Sequence, residues 1–239
     1  MRRALVTGGS GGIGAAICRR LAQQGVQVYV HANSRLQEAQ RVAREIAAAN
    51  GAADAVAFDV TDAPAVERAL AGLLTAGPIQ IVVNNAGVHD DAPMPAMSAA
   101  QWQRVVDVSL NGFFNVTQPL LMPMIGTRWG RIINISSVAA VTGNRGQVNY
   151  AAAKAGLHGA TRALALELAT RGITVNAVAP GIIASGMAEQ AFPKEAIERL
   201  VPMKRAGSAE EVAELVAFLA SDAAGYISGQ LIGINGAMI

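Results

Sequence analysis

The sequence predicts a doubly wound α/β fold: a parallel sheet of about seven strands with helices on both faces. Three observations carry this. Short β-branched runs recur along the chain, helical patterns separate them, and a glycine-rich turn joins the first run to the first helical pattern. Strand–helix alternation specifies a parallel sheet, and right-handed crossovers distribute the helices to both faces. No linker, repeat or low-complexity tract interrupts residues 1–239, so they are expected to form a single domain.

The strand-like runs fall at 4–6, 26–31, 55–58, 79–83, 131–135, 173–178 and 230–234. They are short, apolar and unbroken, the pattern of strands buried on both faces. The first helical pattern, 13–24, sets Ile13, Ile17 and Leu21 four residues apart. The pattern 34–49 opens with Ser34 and Gln37 at capping-box spacing. Ser98 with Gln101 opens 98–124 in the same way, and Ser208 with Glu211 opens 208–220. Patterns at 62–75 and 148–170 complete the series. The one long irregular stretch, 181–207, follows Ala179-Pro180-Gly181 directly and carries Met187, Phe192, Leu200 and Met203. Insertions at a strand's carboxyl end are where α/β folds place ligand lids, so 181–207 is expected to be a substrate lid.

Composition narrows the function classes. Hydrophobic residues make up 52% of the chain and charged residues 15%, which excludes a disordered class. A net charge of +2 leaves no electrostatic footprint for nucleic acid. No stretch approaches the roughly 20 apolar residues of a membrane span. The run Ala4-Leu5-Val6 stops at Thr7-Gly8-Gly9, so no export signal is read. Cys18 is the only cysteine, and a reducing, cytoplasmic location is expected. Cys18 is expected to pack in the core, as are Trp102 and Trp129 there or at interfaces. His31, His89 and His158 are scattered, and no metal site is expected.

The turn Thr7-Gly8-Gly9-Ser10-Gly11-Gly12-Ile13-Gly14 fits two glycine fingerprints. Gly9, Gly11 and Gly14 satisfy G-x-G-x-x-G, while Gly8, Gly12 and Gly14 satisfy G-x-x-x-G-x-G. In both, bare backbone lets a pyrophosphate approach amide groups at a helix N-terminus. Tyr150 and Lys154 lie four apart in a helical pattern, so both project from one face. A nearby ammonium favours a phenolate, which predicts a lowered pKa for Tyr150. Ser137 ends the fifth strand-like run, where α/β sheets bind ligands. Ser136 points to the opposite face of that extended segment.

These motifs in order resemble the short-chain dehydrogenase/reductase family: Thr7-Gly8-x-x-x-Gly12-x-Gly14, Asn84-Asn85-Ala86-Gly87, Ser137, Tyr150-x-x-x-Lys154 and Pro180-Gly181. The resemblance runs from Arg2 to Met238 and selects the Gly8, Gly12, Gly14 fingerprint. Local runs are most similar to the β-ketoacyl-acyl carrier protein reductases: Gly146 to Gly156, Gly172-Ile173-Thr174-Val175-Asn176 and Phe218-Leu219-Ala220-Ser221-Asp222. The resemblance implies a Rossmann-like fold and a reductase of 3-oxoacyl thioesters in fatty acid synthesis. Tyr150 would donate a proton to the carbonyl oxygen, Ser137 would hydrogen-bond it, and Lys154 would hold the nicotinamide ribose. Two rival readings remain: a family member acting on another ketone or secondary alcohol, and a dinucleotide-binding assembly protein without catalysis.

The cofactor set implied by the resemblance is Gly8, Ser10, Gly12, Ile13 and Gly14 of the turn, with Asn33, Ser34 and Arg35 after the second run. Asp59 and Val60 match adenine contacts, and Asn85, Ala86 and Gly87 form the fourth-strand motif. Tyr150, Lys154, Pro180, Gly181, Ile183 and Ser185 complete it. No acidic residue stands at Ala32 or Asn33 to take a ribose 2′-hydroxyl, which argues for NADP(H). Gly11 occupies the position where these reductases often carry a phosphate-binding arginine. The family's water-holding asparagine is matched by Ser109, and Asn111 would serve only if the helix were locally displaced. Arg128 and Arg171 match positions that meet the acidic carrier protein. The family's usual assembly implies a homotetramer, built through 98–124 and 148–170.

Overall fold

The computed structural model describes residues 1–184 and 193–239. Seven strands form one parallel sheet in the order β3-β2-β1-β4-β5-β6-β9. They are β1 (Arg3–Val6), β2 (Gln27–Ala32), β3 (Ala53–Ala57), β4 (Ile81–Asn84), β5 (Gly130–Ile135), β6 (Ile173–Pro180) and β9 (Leu231–Ile234). A separate two-residue ladder joins β7 (Ile183–Ala184) to β8 (Gly207–Ser208).

The β-branched runs become strands because both of their faces are covered. Ala4, Val6, Val28, Val30, Ile81 and Val83 point to one side of the sheet. There they meet helix α1 (Gly12–Gln23), helix α2 (Leu36–Ala48) and the late helix Ala209–Leu219. The alternate residues Leu5, Tyr29, Val82, Ile132 and Val175 point to the other side. They meet α3 (Ala63–Leu74), α5 (Gly112–Thr127) and α7 (Val148–Leu168). The edge strands β3 and β9 are only partly covered, unlike the central ones.

Strand order reverses beside β1, whose neighbours are β2 and β4. Crossovers leave β1 in opposite directions at that point, so a crevice opens beyond the carboxyl ends of the strands. It is into this crevice that the glycine turn, the 33–35 turn and the Asn84–Gly87 segment project.

Two expectations are corrected. Helix α2 begins at Leu36 with Arg35 at its cap and no side-chain capping bond, so the Ser34–Gln37 capping box does not form. The Ser34 carbonyl accepts from the Leu36 amide instead, because the chain turns along the crevice before the helix starts. The expected helix 98–124 is broken. Helix α4 (Ala99–Val106) passes through a π-helical turn, Asp107–Asn111, into α5. The capping boxes at Ser98 and Ser208 form as their spacing predicts.

Candidate active site

The glycine turn is shaped by close backbone approaches. A Cβ on Gly14 would lie 2.2 Å from the Gly8 carbonyl oxygen, so no side chain fits there. Gly8 and Gly12 have φ of +62° and +42°, a region L residues avoid. The Asn85 Nδ2 donates to the carbonyls of Thr7 (2.9 Å) and Gly8 (3.1 Å). The amides of Asn85 and Ala86 in turn donate to the Thr7 hydroxyl. The fourth-strand motif therefore clamps the glycine turn. Beneath it, Asn84 bridges Thr117 and Asn134, and Asn134 donates to Thr161, a buried polar ladder that ties the sheet to α5 and α7.

A cleft of about 500 Å³ lies along these elements. Of the predicted cofactor residues, Gly8, Ser10, Asn33, Ser34, Arg35, Asp59, Val60, Ala86 and Gly87 line it. Gly12, Ile13, Gly14 and Asn85 do not line it: Gly14 and Asn85 pack against Gly8 from behind, Ile13 packs on the core, and Gly12 is exposed at the start of α1. Pro180 and Gly181 stand at the end of β6. The Pro180 carbonyl accepts from the Val138 amide, and a Cβ on Gly181 would meet Asn235 at 2.8 Å. Ile183 is buried on β7. Ser185 lies outside the described residues, as does the 185–192 portion of the expected lid. His31, Thr61, Arg104 and Asp107 also line the cleft and were not anticipated. For His31 the signal was its place at the carboxyl end of β2.

Ser137 follows β5, and Tyr150 and Lys154 project from the first turns of α7. The Lys154 ammonium lies 5.8 Å from the Tyr150 ring centroid and donates to the Ile135 carbonyl at 2.8 Å. A Cβ on Gly87, which lines the cleft, would be 3.0 Å from the Lys154 Nζ, so this buried group lies just behind the cleft wall. Burial pushes the Lys154 pKa down to about 8. The expected lowering for Tyr150 is not found. Burial raises its pKa, a Ser137 hydrogen bond opposes the rise, and the Asp91 carboxylate adds to it. A phenol that keeps its proton at neutral pH is suited to donate it. Ser136 does face away, bonding to the Lys154 carbonyl and to His158 Nε2 at 2.6 Å.

The π-helical turn turns Ser109 inward and Asn111 outward. Ser109 is 3% exposed, and its hydroxyl has no partner among the described residues. The Asn111 amide donates to the Asp107 carboxylate at the surface. An orphaned buried hydroxyl beside Asp107 and Val108, which line the cleft, is a place for an ordered water. Arg128 and Arg171 are exposed and lie just before β5 and β6, at the end of the sheet away from Tyr150. The Arg128 guanidinium reaches the Thr170 carbonyl, so the two arginines neighbour each other. Cys18 is fully buried, and burial raises its thiol pKa. Among the described residues, no His, Cys, Asp and Glu side chains cluster as a metal site, and no helix is long and apolar enough to cross a membrane.

A glycine turn over a switch-point crevice, flanked by a Ser–Tyr–Lys cluster, defines an α/β oxidoreductase site that accepts a nicotinamide dinucleotide. Residues 2–196 match the model of the short chain dehydrogenase family. The chain belongs to the short-chain dehydrogenase/reductase family. It is 44% identical to a 3-oxoacyl-[acyl-carrier-protein] reductase of Aggregatibacter actinomycetemcomitans, covering 98% of both chains. It is also 44% identical to the nodulation protein G of Azospirillum brasilense, over 98% of this chain and 97% of that one. Among solved structures, a putative gluconate dehydrogenase from Agrobacterium tumefaciens superposes with a TM-score of 0.95. That pair is 33% identical and covers 99% of this chain and 95% of the other.

Proposed function

We propose that the protein is an NADPH-dependent reductase of 3-oxoacyl thioesters carried on acyl carrier protein. The observation that carries this reading is the meeting of Ser137, Tyr150 and Lys154: Ser137 hydrogen-bonds Tyr150, and the Lys154 ammonium lies 5.8 Å from the Tyr150 ring centroid and against Gly87, which lines the cleft. The similarity to carrier-protein reductases supports the substrate class. The residues present fit the cofactor: a turn that side chains would block, and the hydroxyl, amide and guanidinium of Ser34, Asn33 and Arg35 where an acidic residue would repel a 2′-phosphate.

When bound, the nicotinamide supplies a hydride to the substrate carbonyl carbon. Ser137 donates a hydrogen bond to the carbonyl oxygen and orients it. Tyr150 gives that oxygen its phenolic proton, and the ketone becomes a secondary alcohol. Lys154 holds the cofactor ribose and, as an ammonium beside the ring, stabilises the phenolate left behind. Ser109 holds a water that returns the proton through Lys154. In this reading 181–207 is the substrate lid of a single domain, and the enzyme is cytoplasmic. Arg128 and Arg171 dock the acidic carrier. Their place at the far end of the sheet means that a carrier seated there serves a neighbouring protomer's cleft, in a homotetramer.

A substrate panel tests the reading. NADPH oxidation is followed with acetoacetyl carrier protein, an acetoacetyl thioester of a small thiol, unrelated ketones and a sugar acid. Turnover confined to the thioesters, with the carrier-linked form preferred, is expected. Preference for a free ketone or a sugar acid would overturn the substrate class. Tyr150→Phe should cost at least about 10²-fold in kcat while the cofactor still binds. A variant with near wild-type kcat would remove Tyr150 from the proton-donor role.

A further inference from the structure

His31 stands at the last turn of β2 with 1% of its surface exposed, yet it borders the cofactor cleft. Both ring nitrogens are engaged by backbone. The Gly8 amide donates to Nδ1 at 3.0 Å, and Nε2 meets the Phe58 carbonyl at 2.8 Å. The first contact requires Nδ1 to be bare, and the second requires Nε2 to carry a proton. One state satisfies both: the neutral Nε2–H tautomer. An imidazolium would set an N–H against the Gly8 N–H. Burial pushes the imidazole pKa down to about 4, against the opposing effects of the Phe58 carbonyl and Asp59, so the ring is neutral at physiological pH.

The ring is also fixed in place. It packs on Phe58 with centroids 4.1 Å apart at 47°. With Asn85 bonding the Gly8 carbonyl, Gly8 is gripped on both sides: N–H by His31 and C=O by Asn85. Gly8 holds φ at +62°, and its carbonyl is the atom that Gly14 must clear. The direction of the Gly8 peptide therefore sets how the turn enters α1. His31 joins three strand ends at this point, since β1 leads to Gly8 and β3 leads to Phe58. With both nitrogens committed to backbone, the ring has no proton to pass to a substrate. Its nearest consequence is the shape of the glycine turn.

We propose that His31 is a positioning residue for the dinucleotide: its Nδ1 lone pair holds the Gly8 peptide, and so presets the glycine turn to receive the cofactor's phosphates. This rests on the reading that the cleft binds a nicotinamide dinucleotide. The acceptor is the functional part of the ring. An asparagine carbonyl oxygen can stand near the Nδ1 position, whereas a glutamine amide reaches toward the Nε2 position and a phenyl ring retains bulk alone.

The test measures NADP⁺ affinity by calorimetry for the wild type, His31→Asn, His31→Gln and His31→Phe, with thermal melts to establish folding. An unmet buried amide costs a factor of about ten or more. His31→Phe and His31→Gln should therefore weaken NADP⁺ binding by about tenfold, while His31→Asn stays within about threefold of wild type. In turnover, KM for NADPH should rise in the same order, with kcat at saturating cofactor within about twofold. Wild-type affinity in His31→Phe, or equal losses in His31→Asn and His31→Phe, would overturn the proposal. If His31→Phe does not fold, the contrast between His31→Asn and His31→Gln still decides it. Absence of NADP⁺ binding by the wild type would overturn the cofactor reading instead.

Discussion

Gly11→Arg isolates how this cleft recognises its cofactor. Gly11 caps α1 with φ −136° and ψ 157°, extended backbone that any residue adopts. A Cβ built there meets nothing within 4 Å, so the new side chain enters open space. The turn beside it borders the same cleft as Ser34 and Arg35, where a 2′-phosphate would lie. One charge-assisted hydrogen bond contributes about 1.5–3 kcal/mol. Ordering the long side chain costs up to about 1.5–2 kcal/mol, and a cation at a helix N-terminus costs about 0.3–1 kcal/mol until the phosphate neutralises it. Binding the phosphate removes the second cost, while the first is incurred on binding, so roughly 1 kcal/mol remains. The net expectation is NADPH bound about fivefold more tightly, with NADH affinity changed by less than about twofold. Fluorescence titration of both reduced cofactors against wild type and variant measures this. Equal gains for NADPH and NADH, or none for NADPH, would refute the placement of the 2′-phosphate beside Ser10, Ser34 and Arg35. A wild-type kcat/KM ratio favouring NADH would refute the cofactor preference itself.

Ser109→Asn should raise kcat by a few-fold, and Asn111→Ala should leave it within about twofold, because the orphaned hydroxyl faces inward while Asn111 bonds Asp107 at the surface. A large kcat loss in Asn111→Ala with Ser109→Ala near wild type would reverse that assignment. Lys154→Met should abolish turnover yet stabilise the fold at pH 7. The folded pKa of about 8 lies below the ordinary 10.5, so the buried ammonium opposes folding at neutral pH. That opposition is relieved as pH rises from about 8 toward 10.5. Allowing for the lost bond to Ile135, a gain of about 1–2 kcal/mol in urea denaturation is expected at pH 7, shrinking by pH 10. Arg128→Glu combined with Arg171→Glu should raise KM for carrier-linked substrate, steeply at low salt, and spare a small thioester. Equal effects on both substrates would count against carrier docking.

Where physical rules act within a few residues, the sequence alone determined the outcome. Apolar runs such as Ile79 to Val83 announced central strands, here Ile81–Asn84, because an unbroken apolar run suits a strand covered on both faces. The Ser98–Gln101 and Ser208–Glu211 spacings became capping boxes because the partners lie one helical turn apart. Gly8 and Gly14 were legible because their distinguishing property, a missing side chain, is written in the residue itself. Four-residue spacing put Tyr150 and Lys154 on one helix face, while the roles expected of them came from the family resemblance. The tertiary structure decided what depends on residues distant in the chain. The Tyr150 pKa is raised rather than lowered because burial by the assembled fold outweighs the Ser137 hydrogen bond, and the Asp91 carboxylate adds to the rise. Ser109 turns inward through a π-helical turn whose exit, Gly112, must pack against Val60 from another element. His31 read as an isolated histidine, for its partners Gly8 and Phe58 lie 23 and 27 residues away. Only the side-by-side packing of β1, β2 and β3 brings those two backbone groups to the two nitrogens of one imidazole, and no local pattern encodes that meeting.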